Sequence, residues 1–297
     1  MKVLLTGATG LLGGAVLSRL LSGGEHEVRV MVRRDSPNAG RIAGLPVEVV
    51  RGDAGSASDV ARSCRGSDAI VHVAGIEYAG AVTAGMKEAG VGRLVAVSST
   101  SAHSRFAGRS GPKLTAERTI KRTSKKSGAE WSIVRPAMIF GSELDKNIRH
   151  LLRFLDRSPF FPVFGDGANL WQPVYFEDCA HGVVEALRRD GTAGRVYDLP
   201  GAYPLTYASL VRAAARALGR EVKIVRLPLE PVRLGLVLAE KLPFSPPFGS
   251  EQVARLQEDK AYPFEAARRD LGYAPRTFEE GVSLEVARLR EVGVLRG

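Results

Sequence analysis

The residues best suited to do chemistry stand at the start of the chain, where Gly7, Gly10 and Gly13 fall at three-residue intervals in MKVLLTGATGLLGG. A turn without side chains lets the chain bend sharply, brings backbone against a pyrophosphate and allows a helix to pack closely on a strand. The apolar Val3-Leu4-Leu5 before it reads as a buried strand of a parallel sheet. The amphipathic stretch from Leu11 reads as a helix whose free N–H groups and positive dipole end face the phosphates. Gly7, Thr9, Gly10, Leu11, Leu12 and Gly13 are therefore expected to hold a dinucleotide. The spacing alone arises by chance in a chain with 33 glycines, and its place between strand and helix gives it weight.

Further strands must position the rest of such a ligand. Val28 to Val32 reads as a second strand, ending at Arg33 and Arg34. An NAD-binding unit carries an acid there for the ribose 2′-hydroxyl, whereas a guanidinium pairs with a 2′-phosphate and favours NADP(H) over NAD(H). The alternative is two solvated loop charges. Val47 to Val50 is a third strand that ends at Gly52-Asp53. Asp53 is expected to accept a hydrogen bond from the adenine amino group, with Ala54 beside it. A fourth strand, Ala69 to Val73, runs into Ala74 and Gly75, small residues that let the backbone pass close to a cofactor; His72 within it reads as a packed core histidine. Leu94 to Val97 is a fifth strand, opening into Ser98, Ser99, Thr100, Ser101 and His103. Strand and helix alternating at this rhythm predict an α/β fold, a Rossmann-type doubly wound parallel sheet with ligands at the C-terminal strand ends.

TGATGLLGG, GDAGSASDV, HVAG, VSSTSAHS and WSIVRPAMIFG together resemble the short-chain dehydrogenase/reductase superfamily, in its extended branch of NAD-dependent epimerase/dehydratase type. QPVYFEDCA, YDLPG and LGYAPRTFEEGV carry the likeness over nearly the whole chain. In detail the chain is most similar to atypical members, including bacterial relatives of the NADPH-binding accessory subunit of respiratory complex I. The resemblance implies an NAD(P)-binding domain of residues 1–140 plus about 170–200, and a smaller, mostly C-terminal α+β substrate lobe of about 141–169 plus 201–297.

It also implies a catalytic set: a Tyr-x-x-x-Lys pair one helical turn apart and a Ser or Thr from the loop after the fifth strand. Lys113 takes the lysine position, because Lys113-Leu114-Thr115-Ala116-Glu117 matches the family's lysine followed by Ala-Glu, and Thr100 takes the Ser/Thr position. Arg109 stands where the tyrosine belongs. Arginine stays protonated at neutral pH and is no general acid or base, a function worth roughly 10²–10⁴-fold in rate. His103, Tyr78 and Tyr175 are the candidates to replace it, each with a structural role as the alternative. Cofactor holding survives the change: Lys113 can still bind ribose hydroxyls, Ser98 closes the fifth strand, and the backbone from Pro136 to Ile139 can face the nicotinamide.

In the smaller lobe, Asn147 to Arg157, Thr206 to Leu218, Glu265 to Leu271 and Phe278 to Leu289 read as helices, and Asp178 as a helix-start residue. The apolar stretch 231–248 reads as a lid over an apolar substrate, a membrane-surface contact, or a helix packed on the lobe. The 297 residues carry a net charge of +10, but the basic residues are scattered and no nucleic-acid motif accompanies them, so no nucleic-acid partner is expected. No apolar run approaches the roughly 20 residues of a membrane helix, and no signal-peptide pattern opens the chain, so the expected location is the cytoplasm. Cys64 and Cys179 are the two cysteines, without metal-ligand spacing, so no metal site is expected.

Three functions remain open. The first is an NADP(H)-dependent oxidoreductase acting on an apolar or quinone-like small molecule. The second is a non-catalytic NADPH-binding assembly or redox-sensing protein. Nucleotide-sugar epimerisation or dehydration comes third, because it leans on the absent tyrosine.

Overall fold

The computed structural model describes residues 1–228, 231 and 257–296. It divides into two compact units: Met1–Ile139 with Val174–Pro200 and Pro263–Pro275, and Phe140–Pro173 with Gly201–Tyr262 and Arg276–Gly297.

The first unit is built on a seven-stranded sheet. Its strands are β1 (Lys2–Thr6), β2 (Glu27–Val32), β3 (Glu48–Arg51), β4 (Ala69–His72), β5 (Arg93–Val97), β6 (Glu130–Pro136) and the strand Arg195–Leu199. The spatial order is Arg195–Leu199, β6, β5, β4, β1, β2, β3, with every pairing parallel. The chain winds one way from β1 to β3 and the other way from β4 onwards. β1 and β4 are therefore neighbours whose connections diverge, which opens a crevice at their C-terminal ends.

Val3, Leu4, Leu5, Ile70 and Val71 are all fully buried. A strand covered on both faces must be apolar without alternation, which is why these short runs are readable as central strands. Helix α1 (Leu11–Ser22) covers one face through Val16, Leu17 and Leu20. Helices α2 (Ala57–Cys64), α3 (Ala79–Glu88) and α4 (Ala107–Ser127) give the other, with Val60, Val82, Met86 and Ile120 in a second core cluster. Pro263–Pro275, expected in the smaller lobe, belongs to this unit. Leu271 and Tyr273 are fully buried in its core, and the Tyr273 hydroxyl donates to the Pro200 carbonyl at 2.7 Å.

The second unit contains α5 (Ile148–Leu155), a helix at Tyr207–Ala217 and another at Phe278–Glu291. Thr206 caps the second of these by accepting from the Ser209 N–H, and Thr277 forms a reciprocal capping box with Glu280. Phe160–Phe164 pairs in parallel with Lys223–Leu227, sixty residues on. Leu170–Trp171 and Val174–Tyr175 are separate short strands, and Phe176 already opens a helix to Arg188. Pro173 has no N–H to give a continuous ladder. The apolar stretch 231–248 lies, apart from Pro231, outside the described residues.

Candidate functional site

At the end of β1 the chain turns through Gly7, whose φ of +78° suits glycine. The position is closed to any side chain on steric grounds as well, since a Cβ there would stand 2.8 Å from the Ala74 nitrogen. Gly13 is tighter still: its Cβ would lie 2.0 Å from the Gly7 carbonyl oxygen. These contacts press the start of α1 and the loop after β4 against one turn. Gly10 is the N-cap and contributes no side-chain hydrogen bond, and no acidic residue occupies the first helical turn. The helix therefore begins with unsatisfied N–H groups and an uncompensated positive dipole end, a seat for an anion.

Beneath the turn a buried polar chain fixes the two strand ends together. The backbone N–H groups of Val73 and Ala74 donate to Thr6 Oγ1 at 3.2 and 3.3 Å, Thr6 Oγ1 lies 2.8 Å from His72 Nδ1, and His72 Nε2 lies 2.7 Å from the Gly75 carbonyl. A carbonyl only accepts, so Nε2 carries the proton and Nδ1 accepts from the threonine hydroxyl. Burial pushes the His72 pKa down to about 4, which keeps the ring neutral and this chain of donors intact. His72 is a core residue of the turn.

Above it opens a cleft of about 470 Å³. Gly7, Thr9, Gly10, Leu11, Leu12 and Gly13 line it from the turn, Arg33 from the end of β2, Asp53 and Ala54 from beyond β3, and Val73 and Ala74 from beyond β4. Asp53 is exposed, and its Oδ1 accepts from the Gly55 N–H at 2.8 Å. Arg33 is exposed, with its Nε 3.8 Å from Asp35. Arg34 is exposed and is not in the lining.

The structure adds lining residues that have no motif. Ser36 arrives through a turn in which its N–H donates to the Arg33 carbonyl, and its hydroxyl comes within 3.4 Å of Thr9 Oγ1. Tyr78 lies along Gly55, where a Cβ would be 3.4 Å from its ring. This places Tyr78 on the cleft wall with Asp53 and Ala54.

Gly75, Ser98, Pro136, Ile139, Thr100, Arg109 and Lys113 lie outside the lining of this cleft. Thr100 and His103 bound a 3₁₀ turn between β5 and α4; Thr100 is buried and His103 exposed. Helix α4 puts Arg109 and Lys113 four residues apart on one face, with Arg109 exposed and Pro112 between them inside the helix. Lys113 Nζ lies 3.8 Å from Glu77, whose carboxylate also overhangs Gly75.

A second polar chain crosses under this edge. Ser98 donates to Glu117 at 2.7 Å, and Arg135 grips both oxygens of the same carboxylate, Nε at 2.8 Å. Burial would raise the Glu117 pKa, but the bonds from Arg135 and Ser98 outweigh it and hold the carboxyl below its usual range. Beyond Arg135, His103 Nε2 sits 2.9 and 3.0 Å from the two oxygens of Asp198. The shorter distances and the carboxylate's acceptor-only chemistry assign the Nε2 proton to Asp198, so the Arg135 nitrogen at 3.4 Å from the same atom is a neighbour rather than a donor to it. Tyr175 is buried, 5% exposed, with its ring tilted against that of Phe176. Among the described residues no group of His, Cys, Asp and Glu could hold a metal ion, and no helix is long and apolar enough to cross a membrane.

Residues 7–153 match a family model described as NAD(P)H-binding. The chain is 30% identical over 257 residues to the ceramide reductase of Caulobacter vibrioides, covering 76% of this chain and 73% of that one. It is 28% identical over 245 residues to the (4-alkanoyl-5-oxo-2,5-dihydrofuran-3-yl)methyl phosphate reductase of Streptomyces griseus, covering 79% and 80%. It is also 30% identical over 138 residues to subunit 9 of the NADH dehydrogenase 1 alpha subcomplex of Arabidopsis thaliana, over 44% of this chain and 33% of that one. Among solved structures, gox2253 superposes with a TM-score of 0.84 at 24% identity over 99% of both chains. The UDP-glucuronic acid 4-epimerase of Bacillus cereus, with UDP-glucuronic acid and NAD, superposes at 0.77 and 18% identity over 98% and 100%. These likenesses to solved structures are likenesses of fold.

Proposed function

The chain belongs to the short-chain dehydrogenase/reductase superfamily as an atypical member of its extended, epimerase/dehydratase-like branch, and from that premise we propose that it is an NADP(H)-dependent reductase of an apolar, alkyl-bearing or quinone-like oxo compound. The observation that carries the reading is the cleft: a side-chain-free anion seat at the start of α1 with the Arg33 guanidinium exposed in its lining. In this reading Gly7 to Gly13 hold the pyrophosphate and Arg33 the 2′-phosphate, while Asp53 and Tyr78 border the adenine. Bound NADPH supplies hydride.

The remaining work falls to this chain's own side chains. Lys113 holds ribose hydroxyls once it lets go of Glu77, to which it is loosely paired. An arginine such as Arg109 does not release its proton at neutral pH, so the acid lies elsewhere. Of the three candidates, Tyr175 is buried and Tyr78 stands in the cleft wall, whereas His103 is exposed at the C-terminal edge of the sheet and backed by Asp198. Asp198 accepts from Nε2–H and orients the ring, which as general acid passes a proton to the substrate oxygen. Relatives named as reductases include those of a ceramide, an alkanoyl-furanone phosphate and a 2-alkyl-3-oxoalkanoate, which supports a substrate that pairs a carbonyl with an alkyl chain.

The test is consumption of NADPH and of NADH by the purified chain with long-chain 3-oxo compounds and with quinones. Turnover with NADPH preferred is the expected result. Tight NADPH retention without turnover on any acceptor would favour a structural role for the nucleotide instead, a reading that the exposed Arg109 at the tyrosine position supports.

A further inference from the structure

From the exposed face of α4 we infer a docking surface for anionic lipid bilayers. Against the expectation of scattered basic charge, the C-terminal half of this helix gathers Arg118, Lys121, Arg122, Lys125 and Lys126, all exposed. At 100° per residue they fall within one sector of the helix, with Thr115 and Thr119 alongside, while Ala116, Glu117, Ile120 and Ser124 are buried on the opposite side. Arg118, Lys121, Arg122 and Lys125 line a shallow hollow of about 610 Å³ with the two threonines, so the hollow draws its lining from this one helix.

What distinguishes the face is the missing counter-charge. The one acidic residue of α4 is Glu117, and it is buried and spent on Arg135 and Ser98. Several cations elsewhere in the first unit have a carboxylate partner: Lys2 has Glu27, Arg29 has Glu48 and Arg62 has Asp59. Among the described residues none of the five cations on this face forms an ion pair; Lys121 only lies within electrostatic reach of the buried Glu117. Arg118 donates to the hydroxyl of Thr115, and Lys121 stands 5.5 Å over the Trp131 ring. Five like charges in a stretch of nine residues repel one another, and that repulsion is relieved only by an anion brought from outside.

The shape of the face selects among anionic partners. The helix lies in the layer packed beside α3 and against β6, so the stripe projects no further than its side chains and cannot enter a nucleic-acid groove as a free helix does. Between the cations stand threonines, and the face exposes no aromatic or large aliphatic side chain to anchor a protein partner or stack a base. A second copy of the chain would bring like charge to like charge. A bilayer rich in anionic headgroups asks for positive charge spread along a plane, and that is what this stripe offers. The proposal stands apart from the reductase reading; if both hold, an apolar substrate is met where it dissolves.

Co-sedimentation of the whole chain with vesicles of phosphatidylcholine, and of phosphatidylcholine mixed with phosphatidylglycerol, tests it. Binding to the anionic vesicles alone, falling as salt is raised, is expected. Replacing Arg118, Arg122 and Lys125 by Gln should weaken it about fivefold for each cation removed, with NADPH affinity and melting temperature unchanged as evidence that the fold is intact. A charge-retaining Lys125→Arg variant should bind like the parent. Equal binding to neutral vesicles, or undiminished binding by the triple Gln variant, would overturn the assignment. So would capture by duplex RNA or heparin from a protein that ignores the vesicles, which would hand the face to nucleic acid.

Discussion

In the nucleotide cleft the groups presented to a ligand are mainly backbone: the turn at Gly7, the uncapped N–H groups after Gly10, the loop at Val73-Ala74. At the edge formed by Thr100 to His103 and the first turns of α4 they are side chains: Lys113 against Glu77, His103 against Asp198, and Arg109 in the open. A backbone seat is fixed by the fold that makes it, so it persists while surrounding residues drift. A side-chain seat can be rewritten one residue at a time without disturbing a strand. On the proposed function, holding the cofactor and doing the chemistry are therefore separable, and substitutions should fall cleanly into one class or the other.

The largest expected effect is at the backbone seat. Gly13→Val would drive a side chain into the Gly7 carbonyl, an overpacking of at least the roughly 1–3 kcal/mol usual for cores, and should abolish NADPH binding while lowering the melting temperature. Retained binding in a titration of this variant would mean that the turn is not the seat. Next comes His103→Gln, which should cost roughly 10²–10⁴-fold in kcat with NADPH affinity intact. If cofactor affinity fell in step with kcat, the division between the two regions would be lost.

Acid offers a third way to break the comparison. The His72 pKa is lowered by burial from the ordinary 6.5 to about 4, so the unfolded chain binds the proton first. The stability tied to the neutral ring is complete above about pH 6.5 and drains away as pH falls towards 4, by about 3 kcal/mol. Unfolding measured across that window should show the slope, and His72→Gln should flatten it; an unchanged slope in the variant would assign it to another group. Smaller again is Arg33→Asp, expected to weaken NADPH by one to two orders of magnitude and to spare NADH, from about 1.5–3 kcal/mol for a charged hydrogen bond. Equal loss of both nucleotides would make Arg33 a residue of the fold. The least effect is expected of Arg109→Tyr: with His103 supplying the proton, carbonyl reduction should stay near the parent's. A gain approaching 10²-fold would show the family site with only its acid missing.

The contrast also explains what the sequence disclosed. β1, the glycine turn and α1 are local: an apolar run, glycines at fixed spacing and an amphipathic period suffice to read them. His72 was legible because a histidine inside an unbroken apolar strand has nowhere to go but the core. Ser36 and Glu77 were not, because each reaches its place through a turn after a strand, and no spacing announces where such a turn will fold back. The pairing of Phe160–Phe164 with Lys223–Leu227 depends on a partner sixty residues away, and Pro162 inside the first strand argues against a ladder when read locally. Pro263–Pro275 went to the wrong lobe for the same reason: its attachment rests on Leu271 and Tyr273 finding the first unit's core, a tertiary fact. Arg109 at the tyrosine position is exposed, so its charge carries no burial cost.

Helix α4 holds one more consequence, in the kinetics of opening. Gly111 and Pro112 sit between Arg109 and Lys113, and proline leaves the Gly108 carbonyl without its helical donor. From Ala116 onwards the same helix is nailed down by Ala116, Glu117, Ile120 and Ser124. With Ser110 the one buried residue ahead of 116, the helix is expected to open as two segments in series, the first more readily than the second. Amide hydrogens ahead of residue 116 should exchange with solvent long before those behind it, and a nucleotide seated against Lys113 should slow the first set while leaving the second alone.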